Sequence, residues 1–163
     1  MLEKPVNHIF ANDDYPPQAP SQRLHLILLG VDDVARATGF YRALGWQESA
    51  TGHAGFAKFD LGGYALCLLP RADLTADARQ EPGSGFTGMA LVYIARTPEE
   101  VPAILAKAEA AGGTIVKPAT RTPWGIAGYF KDPDGHLFEV DYEKPWVLDS
   151  EDKLVVDKLA ETE

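Results

Sequence analysis

The sequence has little of three features that would indicate common functional classes: cysteine, basic charge and long apolar runs. Cys67 is the single cysteine, which excludes a disulfide bond within the chain. The 163 residues include 15 basic and 24 acidic side chains, and the formal net charge of −9 disfavours nucleic acid as a partner. No apolar run approaches the roughly 18 residues of a membrane helix, and the charged, proline-bearing start is unlike a signal peptide. We therefore expect a cytoplasmic protein that binds neither nucleic acid nor membrane.

Hydrophobic residues make up 45% of the chain, which is enough to bury a core. Proline, glycine and charged residues are concentrated in stretches that separate more regular segments. The predicted organisation is an extended N-terminal arm (1–22), a first module (23–72), a linker (73–86), a second module (87–143) and a C-terminal tail (144–163).

The first module begins with a nearly continuous apolar run, Leu24 to Val31, which predicts a strand buried on both faces. Asp33 then stands at an N-cap position, apolar residues recur at helical spacing, and Gly45 is suited to the left-handed conformation that ends a helix. A helix over residues 34–44 is therefore predicted. Three short strand-like stretches follow, at about 46–50, 55–59 and 64–69.

The second module repeats this order. A strand is predicted at 89–94, and Thr97 opens a capping box with Pro98 at the first helical position, so the second helix should run to about Ala110. Strands at 114–117, 127–131 and 136–142 follow. An offset of 72 residues lays the turn at Asp60 on the turn at Asp132, and Cys67 on Glu139. The fold class predicted is α+β, with two tandem βαβββ modules.

The chain resembles the vicinal-oxygen-chelate superfamily of glyoxalases, bleomycin-resistance proteins and extradiol dioxygenases. The resemblance rests on the two modules and on motifs in each of them, namely Gly30-Val31-Asp32-Asp33, Phe40-Tyr41 with Leu44-Gly45, and the stretch Tyr129 to His136 followed by Phe138-Glu139. It implies curved mixed sheets that enclose a pocket, a small-molecule ligand, and a homodimer.

Enzymes of this family hold one divalent metal through four side chains, one on the first and one on the last strand of each module. The resemblance places these positions at Leu26, Cys67, one of residues 88–90, and Glu139, and only Glu139 is the expected ligand type. No cofactor is therefore expected. A divalent metal held by His25 and Glu139 stays as the alternative, because a one-residue slip of the first strand would turn His25 into the pocket.

Glu139 is the candidate catalytic residue, because a carboxylate in an otherwise apolar strand is costly unless it faces a wet pocket, a partner or a metal. A four-residue turn would pair Lys131 with His136 and so place Gly128 opposite Glu139, which leaves space beside the carboxylate. By the same alternation Tyr129 should point away from Glu139. The alternative is a purely structural carboxylate satisfied by a neighbouring hydroxyl or backbone group.

Four further residues complete the predicted ligand-binding set with Glu139. Phe56 should face Cys67 across the first hairpin, and Phe130 should lie on the second hairpin near Glu139. Cys67 is interpreted as a small buried hydrophobe rather than a nucleophile, because no basic residue near it in sequence marks an activated thiolate. Trp124, between Pro123 and Gly125, could form a wall or lid of the pocket.

Two functions remain open from the sequence. The first is a glyoxalase/bleomycin-resistance-like protein that binds a small organic molecule in a largely apolar pocket without a metal. The second is a glyoxalase-like lyase or isomerase that uses Glu139 as a general base or metal ligand. Whether the protein is an enzyme is left undecided, and a structural or interaction role is the third alternative.

Overall fold

The computed structural model describes residues 24–157 and contains seven strands and three helices in that range. The predicted arm, 1–22, lies outside the described residues. In chain order the elements are β1 (Leu26–Val31), α1 (Val34–Leu44), β2 (Ala57–Asp60), β3 (Ala65–Pro70), α2 (Arg71–Asp77), β4 (Leu91–Ile94), α3 (Glu100–Ala110), β5 (Thr114–Thr122), β6 (Gly125–Lys131) and β7 (Leu137–Glu143).

The strands form two mixed sheets, ordered β1-β3-β2 and β4-β7-β6-β5, which confirms the α+β class. In each module the first strand pairs in parallel with the last: β1 pairs with β3, and β4 pairs with β7. The remaining pairs are antiparallel. A parallel pair needs a crossover, and the segments containing α1 and α3 supply it in the two modules.

Local sequence accounts for α1. The Asp33 carboxylate accepts a hydrogen bond from the Arg36 backbone N–H at 3.0 Å, so the helix begins where the cap predicted. Gly45 ends the helix with φ at 110°, a conformation that a side chain would strain. The buried side of the helix includes Phe40 and Tyr41.

The same helix packs against both sheets. The Tyr41 ring lies 5.7 Å from the ring of Phe59 in β2 and 6.2 Å from that of Phe138 in β7. Phe40 contacts Phe130 of β6 at 6.3 Å between ring centroids. A single hydrophobic core therefore extends across both modules.

Polar contacts also join the first module to the turn between β6 and β7. The buried Tyr41 hydroxyl donates to Asp132 at 2.7 Å, and the Arg36 guanidinium donates to the Asp134 carboxylate at 2.7 Å. The His136 imidazole lies within hydrogen-bonding distance of the Gly30 carbonyl, at 2.9 Å. Burial, with Asp132 beside it, raises the pKa of the Tyr41 phenol above its usual value, so this hydroxyl stays protonated and donates.

Helix α3 begins two residues later than predicted. Glu100 is its first residue, and the side chain of the N-cap residue, Glu99, makes no capping hydrogen bond. Only half of the predicted capping box forms: the Glu100 carboxylate accepts from the backbone N–H of Arg96 at 2.6 Å and of Thr97 at 3.3 Å. Pro98 therefore lies in a turn ahead of the helix rather than at its first position.

Two other expectations are wrong in detail. No strand forms at 46–50. The Trp46 ring packs on the rings of Tyr41 and Phe59. One backbone hydrogen bond, from the Ser49 N–H to the Lys58 carbonyl, joins this stretch to β2. The stretch predicted as a linker, 73–86, contains most of α2, which packs on β1 and β3.

The register of the second hairpin also differs from the prediction by one residue. Lys131 pairs with Leu137, not with His136, so the connection has five residues rather than four. The Asp132 side chain explains the longer loop, because its Oδ1 accepts from the backbone N–H groups of both Asp134 and His136 at 2.9 Å. The turn in the first hairpin is simpler, with one bond from Gly62 N–H to the Asp60 carboxylate.

The described part of the C-terminal tail folds back on itself. Leu148 and Leu154 form an isolated antiparallel bridge, and Arg96 binds this hairpin through the Asp152 carboxylate and the Asp149 carbonyl. None of the three helices in the described range is long and apolar enough to cross a membrane.

Candidate functional site

Among residues 24–157, a helix covers one face of the second sheet and no helix covers the other. A Cβ at Gly128 would lie 2.5 Å from the Leu105 side chain, so α3 packs tightly on the Gly128 side. Side chains alternate along a strand, and β7 residues of odd number therefore project from the opposite side. We call that side the helix-free face of the second sheet.

Three acidic residues of β7, Glu139, Asp141 and Glu143, lie in line on this face. Their carboxylate oxygens come within 4.8 Å of one another. We call them the carboxylate row. Three negative charges this close repel one another, so the row is electrostatically costly unless something positive binds it.

Asp141 is the central and most buried member of the row. Its exposed fraction is 2%, and its Oδ1 has no hydrogen-bond partner among the described residues. Burial, and then the charges of Glu139 and Glu143, raise the pKa of Asp141 to about 6. A buried carboxylate without a partner is unusual and indicates a ligand, a proton or a functional role.

Tyr129 of β6 lies directly opposite Glu139, and Gly128 opposes Val140 instead. The expectation that Tyr129 points away from Glu139 is therefore wrong, and it failed because of the one-residue register error. Burial, followed by the hydrogen bond to Glu139 and that group's charge, raises the pKa of Tyr129 to about 12. The phenol is therefore neutral where it lies opposite the Glu139 carboxylate.

The first sheet is different at the equivalent positions. Leu28 of β1 pairs with Cys67 of β3, as Val92 of β4 pairs with Glu139 of β7. Cys67 is fully buried, and burial raises the pKa of its thiol, so the thiol is inert rather than activated.

The residues at the four metal positions that the resemblance implies do not provide a set of ligands for a divalent metal. Leu26 projects on the same side as Leu28 and has no donor atom, and Gly88, Met89 and Ala90 offer no oxygen or nitrogen side-chain ligand. His25 precedes β1 and does not replace Leu26 as a ligand. Alternation places it on the side of Ile27, which packs against the core.

A cavity of about 280 Å³ lies between the two modules. Its walls come from β1, β3 and the first hairpin on one side and from β4 and β7 on the other. The lining residues are Ile27, Trp46, Leu61, Tyr64, Leu66, Ala90, Leu91, Val92, Tyr93 and Phe138. Burial raises the pKa of the Tyr93 phenol, which remains a neutral hydrogen-bonding group.

The five residues predicted to bind a ligand are not brought together. None of them lines this cavity. Phe130 is buried in the core, stacked on Phe138 at 5.0 Å, and Trp124 lies exposed in the turn before β6. Phe56 does not face Cys67, because β3 pairs Cys67 with Lys58. Glu139 is half-buried on the helix-free face of the second sheet.

Sequence reasoning missed two groups of residues. Asp141 and Glu143 were visible as acidic residues two and four positions after Glu139, a spacing that places all three on one face of a strand. The aromatic residues of the cavity, Trp46, Tyr64 and Tyr93, carry no comparable signal, because only the packing of the two modules brings them together.

Comparisons with known proteins agree with this architecture. The sequence profile of the Glyoxalase/Bleomycin resistance protein/Dioxygenase superfamily matches residues 23–140. A glyoxalase-related enzyme from Fulvimarina pelagi has a similar structure, with 27% identity and a TM-score of 0.76 over 86% of this chain and 99% of that one. A lactoylglutathione lyase from Agrobacterium tumefaciens is 26% identical, with a TM-score of 0.55 over 74% of this chain and 93% of its own.

Proposed function

Because the chain belongs to the Glyoxalase/Bleomycin resistance protein/Dioxygenase superfamily, we propose that it binds a small organic molecule in the apolar cavity between its two modules. The proposed binding does not use a metal at the family's four positions, since two of them offer no suitable ligand atom and the third, Cys67, offers a buried thiol whose pKa is raised. The observation that carries the proposal is the cavity itself, which is open on one side and is lined by aliphatic and aromatic side chains.

The composition of the cavity wall suits an uncharged or weakly polar organic ligand. Its volume of about 280 Å³ lies just below the roughly 300–1,000 Å³ typical of small-molecule sites, so the ligand should be small. Trp46 offers an aromatic surface, and the hydroxyl groups of Tyr64 and Tyr93 offer polar anchors at the rim. This combination of apolar walls and few polar groups is characteristic of specific small-molecule pockets.

The proposal includes a homodimer and a cytoplasmic location. Strand β1 lies at an edge of its sheet and exposes two large apolar side chains that do not line the cavity, Leu26 and Leu28. Exposed apolar edges of this kind are normally covered, and a second copy of the chain is the proposed cover. Sedimentation equilibrium should give twice the mass of one chain.

The ligand-binding proposal can be tested by narrowing the cavity. Val92 lines it, and Val116 on β5 does not, yet both side chains are 52% exposed. A library of small aromatic and aliphatic compounds is first screened by thermal shift, with binding measured by Trp fluorescence. Val92→Trp should weaken binding of any hit about tenfold or more, while Val116→Trp leaves it unchanged. Equal affinity in both variants places the ligand elsewhere.

A second candidate function, a lyase or isomerase, is favoured by the surroundings of Glu139. Its carboxylate lies opposite Tyr129 and beside Asp141, whose pKa of about 6 is suited to proton transfer near neutral pH. In this proposal Glu139 acts as a general base on a carbon next to a carbonyl group. The similarity to a lactoylglutathione lyase supports testing that reaction class.

The enzymatic proposal predicts a specific loss. With an identified substrate, Glu139→Gln should lower turnover at least about 100-fold and leave the unfolding transition in place. Glu109→Gln, on the exposed side of α3, is the control because it changes the net charge equally. Unchanged turnover in Glu139→Gln would exclude Glu139 as the base.

A further inference from the structure

We propose that the carboxylate row, Glu139, Asp141 and Glu143, binds a hard divalent cation, with Ca²⁺ as the best match. The three side chains lie on one strand and one face, and their oxygens come within 4.8 Å of one another. Carboxylate oxygen is the preferred ligand of Ca²⁺, Mg²⁺ and Mn²⁺.

The unpaired negative charges on this face favour the binding of a cation. None of the three carboxylates forms an ion pair within residues 24–157. The strand neighbours on the same face are Val92 and Ile94 of β4 and Tyr129 and Ala127 of β6, and none of them carries positive charge. A monovalent organic cation would leave two negative charges of the row uncompensated, whereas a divalent ion leaves one.

The burial of Asp141 is the second, independent observation. Its side chain is 98% removed from solvent, and its Oδ1 makes no hydrogen bond with any described residue. A solvent-facing acidic cluster would satisfy its oxygens with water, and Asp141 lacks that access. One oxygen of the same carboxylate lies within 4.8 Å of an oxygen of each of the other two, where a shared ion would bind all three.

The spacing of the oxygens favours the larger ion. Calcium binds oxygen at about 2.3–2.6 Å, so two ligands on opposite sides of it lie roughly 4.6–5.2 Å apart. Magnesium binds at about 2.0–2.1 Å and demands a near-ideal octahedron, whereas Ca²⁺ accepts irregular shells of about six to eight oxygens. The oxygens of the row, which lie within 4.8 Å of one another, fit inside a Ca²⁺ shell, and water would complete that shell on the open side.

This site differs from the metal site that the family resemblance implies. That site draws its ligands from four strands in two modules, whereas all three members of the carboxylate row belong to β7. The row shares Glu139 with that site and with the enzymatic candidate, but the inference goes beyond the proposed ligand binding, because no member of the row lines the cavity. Failure of cation binding would leave ligand binding in the cavity untouched, and the reverse also holds.

Calorimetry on the full-length protein, stripped with a chelator, tests the inference. Titration with CaCl₂ at near-physiological salt should show one ion per chain with a dissociation constant of about 10⁻⁵ to 10⁻³ M, and MgCl₂ should bind more weakly. Asp141→Asn and Glu143→Gln should each weaken Ca²⁺ binding about tenfold or more. Glu109→Gln should bind as the unchanged protein does, which separates coordination from a general effect of charge.

Three results would overturn the inference. The first is the absence of Ca²⁺ binding at millimolar concentration. The second is equal Ca²⁺ affinity in Asp141→Asn and the unchanged protein, provided that circular dichroism shows the variant folded. The third is an equal loss in Glu109→Gln, which would indicate diffuse attraction to an acidic protein. Because Asn and Gln keep the side-chain shape, both variants are expected to fold.

Discussion

The two sheets place very different side chains at equivalent positions. In each sheet the first strand of the module pairs in parallel with the last, and the paired residues are Leu28 with Cys67 in one and Val92 with Glu139 in the other. The first pair includes a fully buried thiol, and the second a half-buried carboxylate next to Asp141. The repeated architecture therefore fixes where a side chain lies, and the individual residue decides whether chemistry is available there.

Introducing a carboxylate into the first sheet should cause the largest loss of stability. Cys67→Glu would bury an unpaired charge at a fully covered position and should lower the free energy of unfolding by about 3–5 kcal/mol. Glu139→Gln, at the equivalent position, should change it by less than about 1 kcal/mol, because Glu139 is half-buried and the amide keeps the size and polarity of the side chain. Urea denaturation measures both, and equal destabilisation would contradict the contrast.

The two hairpin turns provide the next comparison. Asp132 accepts hydrogen bonds from two backbone N–H groups and from the Tyr41 hydroxyl, whereas Asp60 accepts one from Gly62. Asp132→Ala should therefore cost about 2–4 kcal/mol of stability, and Asp60→Ala about 0.5–1 kcal/mol. Thermal and urea unfolding of the two variants should rank them in this order. Similar losses would show that the contact with α1 adds nothing to the second turn.

Asp141 predicts a pH dependence that Cys67 does not share. Its pKa rises from 3.8 to about 6 on folding, so the folded state holds the proton more tightly. The stability that this proton contributes is present below about pH 4 and is lost as the pH rises to about 6. Asp141→Asn should remove this loss and raise the free energy of unfolding at pH 7 by about 1–2 kcal/mol. This figure allows for screening by solvent near the partly exposed Glu139 and Glu143.

The measurement for Asp141 is the free energy of unfolding from pH 4 to pH 7 in the presence of a chelator. The slope over this range should flatten in Asp141→Asn. Cys67→Ala serves as the control, because burial moves the thiol pKa upward, away from this range, so the slope should be unchanged. An unchanged slope in Asp141→Asn would show that the carboxylate does not titrate as expected.

The smallest expected effect compares the starts of α1 and α3. Asp33 caps α1 through its side chain, whereas Thr97 makes no side-chain bond to α3 among the described contacts. Asp33→Ala should lower stability by about 1 kcal/mol, and Thr97→Ala by less than about 0.5 kcal/mol. Paired urea curves would resolve this difference, and a larger loss at Thr97 would restore the capping box that the sequence suggested.

These contrasts show which features the sequence could reveal. Helix α1 was predicted from Asp33 to Gly45 because both ends depend on local contacts between residues a few positions apart. The second hairpin was predicted at the right place, but its register was wrong by one residue. That register depends on how many backbone groups the Asp132 side chain binds, and turn composition alone does not determine this.

The site was predictable only in part, for the same reason. Glu139 was identified because a carboxylate is unusual in an apolar strand, and this signal is local. The register error then turned Tyr129 away from it, so the phenol that lies opposite Glu139 was missed. The cavity is lined by Trp46 and Tyr64 of the first module and Tyr93 of the second, which are distant in sequence, and it forms only where the two modules pack.

The contacts between α1 and the second hairpin have a consequence for folding cooperativity. Tyr41 and Arg36 of the first module bind Asp132 and Asp134 of the second, and Phe40 packs on Phe130. Neither module can therefore open without exposing the core of the other. Despite its internal repeat, the chain should unfold in one concerted transition, and the first module expressed alone should stay unstructured.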